Sequence, residues 1–159
     1  MSILSFIKEA GEKLFHHDTP PASASADEVK AANDKAADAI VAYIEAQGLK
    51  ATGLTVTYDG ATGTVTVYGV APDQQTKEKI LLCCGNVRSV ASVNDQMTVE
   101  QSAPEAQYYT VVKGDNLSKI SKQYYGDPNK YTKIFEANKP MLKSPDLIYP
   151  GQVLRIPPL

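Results

Sequence analysis

The chain has no tryptophan, two cysteines and two histidines among its 159 residues, and these scarcities exclude much catalytic chemistry. Cys83 and Cys84 are neighbours, and adjacent residues do not comfortably reach the Cα separation a disulfide needs. They also lack the CxxC spacing of a redox or metal site. They read as reduced residues on a buried helix, packing as small hydrophobes. His16 and His17 are adjacent at an expected helix end, where their rings point apart. No serine or cysteine has a base at a recognisable spacing, and no glycine loop reads as a phosphate cradle. No catalytic residue is assigned, and an enzyme is not expected. A transition-metal site at His16-His17-Asp18 is the weaker reading, because a solvated helix end favoured by the dipole explains the pair without a metal.

A dominant charge is lacking too. Sixteen basic residues face 18 acidic ones, a formal net charge of −2. Nucleic acid needs a concentrated basic face, so no such partner is expected. No apolar run approaches the length of a membrane span. The start, Met1-Ser-Ile-Leu-Ser-Phe-Ile, is broken by Lys8 and Glu9 and followed by no small-residue cleavage site, unlike a secretory signal. Ser2 stands where myristoylation would need glycine. The expectation is a cytoplasmic protein, monomeric by default as two small modules joined by polar linkers.

What is present is an ordinary apolar content of 43%, enough for one or two small cores. Ile3, Phe6, Ile7, Ala10 and Leu14 recur at helical spacing, which predicts an amphipathic helix over 3–17. Its polar face carries as many acids as bases, so docking onto the next domain is favoured over a membrane surface. Gly11 is its weak point. Residues 18–26 (DTPPASASA) form a linker. Ser25 and Glu28 make a capping box for a helix that stops at Gly48. Leu54, Val56 and Tyr58, then Val65 and Val67, alternate around Asp59-Gly-Ala-Thr-Gly63, a hairpin signal. Ala71-Pro-Asp73 opens a second helix through Cys84, with Gly85 as its cap. A third strand runs from Ala91 to Val99.

The order α-β-β-α-β over 27–100 predicts an α+β sandwich, two helices on a three-stranded sheet. Residues 1–26 precede it as helix and linker, and 101–107 form a second linker. Residues 108–159 have their own strand-helix-helix-strand pattern. Tyr109-Thr-Val-Val is the first strand, and Asp115 caps a helix holding Leu117, Ile120 and Tyr124. A second helix from Asp127-Pro128 ends at Asn138, which suits a left-handed exit. Pro150-Gly151 turns the last strand, Gln152-Val-Leu-Arg-Ile, back into the sheet.

Three stretches carry a specific resemblance. Tyr109-Thr-Val-Val-Lys-Gly-Asp-Asn-Leu-Ser-Lys-Ile, Ile134-Phe-Glu-Ala-Asn and Ile148-Tyr-Pro-Gly-Gln-Val-Leu-Arg-Ile-Pro resemble a LysM module. The order of elements over 27–100, with Gly85-Asn-Val-Arg-Ser-Val-Ala-Ser-Val-Asn-Asp, is similar to a BON domain. A short N-terminal helix, one BON domain and one LysM module resemble the bacterial BON–LysM potassium-binding proteins over essentially the whole chain.

That resemblance implies binding of K+, and of larger alkali ions, with a coupled conformational change. It implies a ring of main-chain oxygens from Ile7, Ala10, Gly85, Val87 and Val90, where the first helix meets the turn after the second. Arg88-Ser89 in that turn bears on selectivity. The chemistry is consistent, since potassium is selected by neutral carbonyl dipoles and the chain has no EF-hand-like spacing or acidic cluster. The competing reading is that Gly85 only caps a helix and Val90 only enters a strand. The alternative function is recognition of peptidoglycan or N-acetylglucosamine in a cell-envelope setting, or of another protein through LysM. Its groove would be formed by Gly114, Asp115, Asn116, Leu117, Ile148, Tyr149 and Pro150.

Overall fold

The computed structural model describes residues 2–5 and 25–159. Helix α1 (Ala26–Ala46) starts at Ser25, whose hydroxyl accepts the Glu28 N–H, and ends before Gly48 at φ 75°. Its small and branched stripe of Ala36, Ala37, Ile40 and Ile44 is buried on the sheet. Strands β2 (Thr52–Asp59) and β3 (Thr64–Asp73) form the expected antiparallel hairpin. Helix α2 (Gln74–Gly85) crosses to β4 (Ser92–Gln101), which lies parallel to β3. The core between helices and sheet contains Val56, Tyr58, Val65, Val67, Ile80, Val87, Val90 and Val93. Both cysteines are free and buried, and burial pushes the Cys83 thiol up to about 12.

The first residues depart from expectation. Ser2–Ser5 is a strand, β1, antiparallel to β4, so the helix predicted from residue 3 does not begin there. The sheet has four strands in the order β1-β4-β3-β2 rather than three. The reason is the ladder: β4 pairs with β3 on one side and would otherwise present its other edge unpaired. Four residues are also too few for periodicity to separate strand from helix. The rest of the expected helix, with Ile7, Ala10, His16 and His17, lies outside the described residues.

The second unit runs β5 (Gln107–Thr110), α3 (Leu117–Tyr125), α4 (Tyr131–Ala137) and β6 (Val153–Ile156), with β5 and β6 antiparallel. Its core gathers Val111, Leu117, Ile120, Ile134, Leu142, Leu154 and Ile156. Two expected caps differ in detail. Asn116, not Asp115, caps α3, accepting the Lys119 N–H at 2.8 Å. Asp115 instead closes the preceding turn by accepting the Val112 N–H and the Tyr109 hydroxyl. Asn138 leaves α4 at φ −109°, not left-handed, because its side chain is committed elsewhere. Its amide donates to the Ile134 and Arg155 carbonyls and its oxygen accepts the Arg155 N–H.

The two units are joined through α2. Glu78, 3% exposed, accepts from Arg155 Nε and Nη2, both at 2.8 Å on one carboxylate oxygen. Its other oxygen accepts the Ala106 N–H, at 2.8 Å, so the second linker is pinned beneath the pair. A buried carboxylate and guanidinium are stable only when paired and hydrogen-bonded in this way.

Candidate functional site

The turn that follows α2 is where the first unit, the edge of its sheet and the second unit meet. Gly85 is the last helical residue and does not adopt the left-handed conformation expected of a glycine cap; Asn86 is the cap, at φ −93°. The Asn86 side chain explains the exchange. Its amide donates to the Val153 carbonyl at 2.9 Å and its oxygen accepts the Val153 N–H at 2.8 Å. Asn138 treats Arg155, two residues along β6, in the same way. One edge of β6 pairs with β5, and the two asparagines supply the missing partner strand at its other edge, one from each unit.

After Asn86 the chain turns sharply. The Val90 N–H donates to the Val87 carbonyl at 3.2 Å, and Ser89 holds φ 81°, a left-handed value rare for a residue with a side chain. The side chains of Val87 and Val90 are fully buried, while Arg88 is exposed. Among the described residues no turn or cap hydrogen bond reaches the carbonyl of Gly85 or Val90. The Val87 carbonyl accepts the Val90 N–H that closes the turn. The last turn of α2 holds no basic residue, so the negative end of its dipole is not offset from within the helix. These donors are neutral oxygens beside a buried core, which fits a large monovalent cation better than a divalent one. No group of three or more His, Cys, Asp or Glu suited to a metal occurs among the described residues.

The structure thus brings Gly85, Val87 and Val90 into one turn. Ile7 and Ala10 lie outside the described residues. Ser5, two residues before Ile7, pairs with Ser92, two residues after Val90.

The groove residues of the second unit are also partly accounted for. Gly114 is left-handed at φ 91°, and the Gly151 N–H to Val111 carbonyl bond, 2.8 Å, brings the turn after Pro150 to the same end of β5. Ile148 and Tyr149 are half-buried and Pro150 is exposed. Asp115 and Asn116 are engaged by their own turn and helix, and Leu117, 2% exposed, belongs to the core.

Asn86, Glu78, Arg155 and Tyr58, whose hydroxyl donates to the Ser89 carbonyl, escaped sequence reasoning. Arg155 had one signal, a charge between Leu154 and Ile156 in an otherwise apolar strand. Glu78 and Asn86 had none, since charged and polar residues on a helix and at its end are ordinary.

Comparison with known sequences agrees with this architecture. The BON domain family model matches residues 32–101 and the LysM domain model matches 109–157, and neither is an enzyme family. "Potassium binding protein Kbp" of Escherichia coli is 47% identical over 161 residues, covering 99% of each chain. An uncharacterized protein of Deinococcus radiodurans is 57% identical over 49 residues, 31% of this chain and 19% of its own length. The uncharacterized protein YqbP of Bacillus subtilis is 41% identical over 66 residues, 36% of this chain and 29% of its own. Matched end to end by the first and in both modules by their models, this chain belongs to the BON–LysM family that includes Kbp.

Proposed function

We propose that this chain is a non-enzymatic, cytoplasmic potassium-binding protein that senses the ion by a change in how its modules are held. The observation that carries the reading is the buried turn after α2, with the Gly85 and Val90 carbonyls unclaimed by any turn or cap among the described residues. Kbp, named for potassium binding and 47% identical throughout, supports it. The ring is completed by main-chain oxygens of Ile7 and Ala10, which follow β1 in sequence, together with Gly85, Val87 and Val90. Five or more carbonyl dipoles replace the hydration shell of potassium, rubidium or caesium, while smaller sodium is left under-coordinated. Two free cysteines suit a reducing compartment.

Binding is coupled to the LysM module through Asn86. The ion orders the turn in which Asn86 is the helix cap, and the same side chain pairs with Val153 in β6. An ion that prefers this arrangement shifts the population toward it. The LysM match favours a second role for that module, binding of an N-acetylglucosamine polymer or a protein along Gly114 and 148–150. Because Asp115 and Asn116 are committed to the fold, such contact would rest on main-chain groups, Ile148 and Tyr149.

Calorimetry with potassium, rubidium, caesium, sodium and calcium chlorides at matched ionic strength tests the ion reading. Heat and stabilisation from the three larger alkali ions alone are expected. An equal response to all five salts would reduce the effect to screening. Retention on purified peptidoglycan tests the second role.

A further inference from the structure

The turn that the potassium reading uses is held in an unfavourable backbone conformation. Ser89 sits at φ 81°, in a region that costs any residue with a Cβ and is normally left to glycine. Such conformations persist only where surrounding structure over-determines them. Two contacts do so here. The Val90 N–H closes the turn onto the Val87 carbonyl, and the Tyr58 hydroxyl donates to the Ser89 carbonyl at 3.2 Å. Tyr58 lies on β2, opposite Val65 and 31 residues from Ser89, with its ring in the BON core and 7% exposed. Its anchor is therefore rigid and independent of the turn itself. Burial, with the nearby Asp59 carboxylate, pushes the phenol up, so it remains a donor throughout the physiological range.

The geometry points to Tyr58 as a positioning residue that sets the ion preference of the turn. By binding the Ser89 carbonyl it fixes the peptide plane on which the direction of the neighbouring Val90 carbonyl depends. Where selectivity among alkali ions rests on cavity size, carbonyls must resist closing onto the smaller ion. A tethered turn resists and an untethered one collapses. The inference rests on the potassium reading and adds to it a residue outside the ring. Nothing about Tyr58 requires contact with the ion.

The test compares potassium and sodium affinities of the full chain with those of Tyr58→Phe and Ser89→Gly, by calorimetry. Tyr58→Phe keeps the ring in the core and removes only the hydroxyl. Ser89→Gly keeps the left-handed conformation accessible while freeing the backbone to leave it, and serves should the first variant fold poorly. Tyr58→Phe is expected to narrow the potassium-to-sodium affinity ratio by about fivefold, the worth of one hydrogen bond, and Ser89→Gly, which keeps that bond but loosens the turn, to narrow it by less. A hydroxyl that is merely satisfied would lower the unfolding temperature equally in both salts and leave the ratio unchanged. A native ratio above one that survives in both variants overturns the inference alone. A native chain indifferent to the two ions sinks the potassium reading, and this inference with it.

Discussion

The LysM module and the turn after α2 hold their shapes by different means. In LysM the signature residues do visible side-chain work. Asp115 closes a turn, Asn116 caps α3 and Asn138 pairs with both main-chain groups of Arg155. In the BON turn the proposed ligand atoms are carbonyls of Gly85, Val87 and Val90, and two side chains that shape it reach other elements: Asn86 to β6, Tyr58 from β2. A side-chain site can be altered by changing its own residues. A main-chain site is altered through its supports, and here one of those supports is the other module.

The largest way to break that dependence is at the buried pair. Glu78→Ala leaves the Arg155 guanidinium buried without its carboxylate and the Ala106 N–H without an acceptor. A loss of about 3–5 kcal/mol is expected in chemical denaturation, with separate rather than single transitions for the two modules. A loss below about 1 kcal/mol with one intact transition would show that α2 does not join them.

The two asparagines on β6 sharpen the comparison. Asn86→Ala and Asn138→Ala each strand one N–H and one carbonyl of the same strand, and each should cost about 1–3 kcal/mol. They should differ in ion dependence. Potassium should raise the cost of Asn86→Ala, which cuts the turn from LysM, and leave that of Asn138→Ala unchanged. Equal costs in potassium and sodium for both would contradict coupling through Asn86.

Much of this was legible in the sequence, and the division follows the same line. The helix start at Ser25, the hairpin around Asp59–Gly63 and the whole βααβ order of LysM were readable because periodicity and turn chemistry are written in side chains. Cap identity slipped by one residue at Gly85 and Asp115. In both cases an adjacent asparagine, Asn86 or Asn116, offered an amide the site used, and cap preference alone cannot rank such neighbours. The strand at Ser2–Ser5 was missed because its cause is the open edge of β4, some 90 residues away. The proposed ring leaves almost no signature in the sequence, since a carbonyl is common to every residue.

Helix caps give smaller effects. Asn116→Ala should cost about 1 kcal/mol, measured by thermal unfolding, and Asp115→Ala should act separately through the turn it closes. A cost for Asp115→Ala confined to loss of helix content would return the cap to Asp115. The smallest expected effect is at Asp73, where hydrogen bonds from Thr76 hold the carboxyl below its usual value. Its stabilising share is complete above the ordinary carboxylate value near 4 and fades as pH falls through the lower folded value. Asp73→Asn should flatten that acid limb slightly, and an unaltered limb would remove Asp73 from the account.

The central claim is that main-chain carbonyls of the BON turn take a potassium ion. Carbonyl-labelled protein titrated with potassium and with sodium, at constant ionic strength, reads it directly by carbon-13 NMR. Saturable shifts of the Gly85, Val87 and Val90 carbonyls with potassium, absent with sodium, are expected. Potassium-specific shifts confined to carboxylates or to LysM, with these three carbonyls unmoved, would contradict the account.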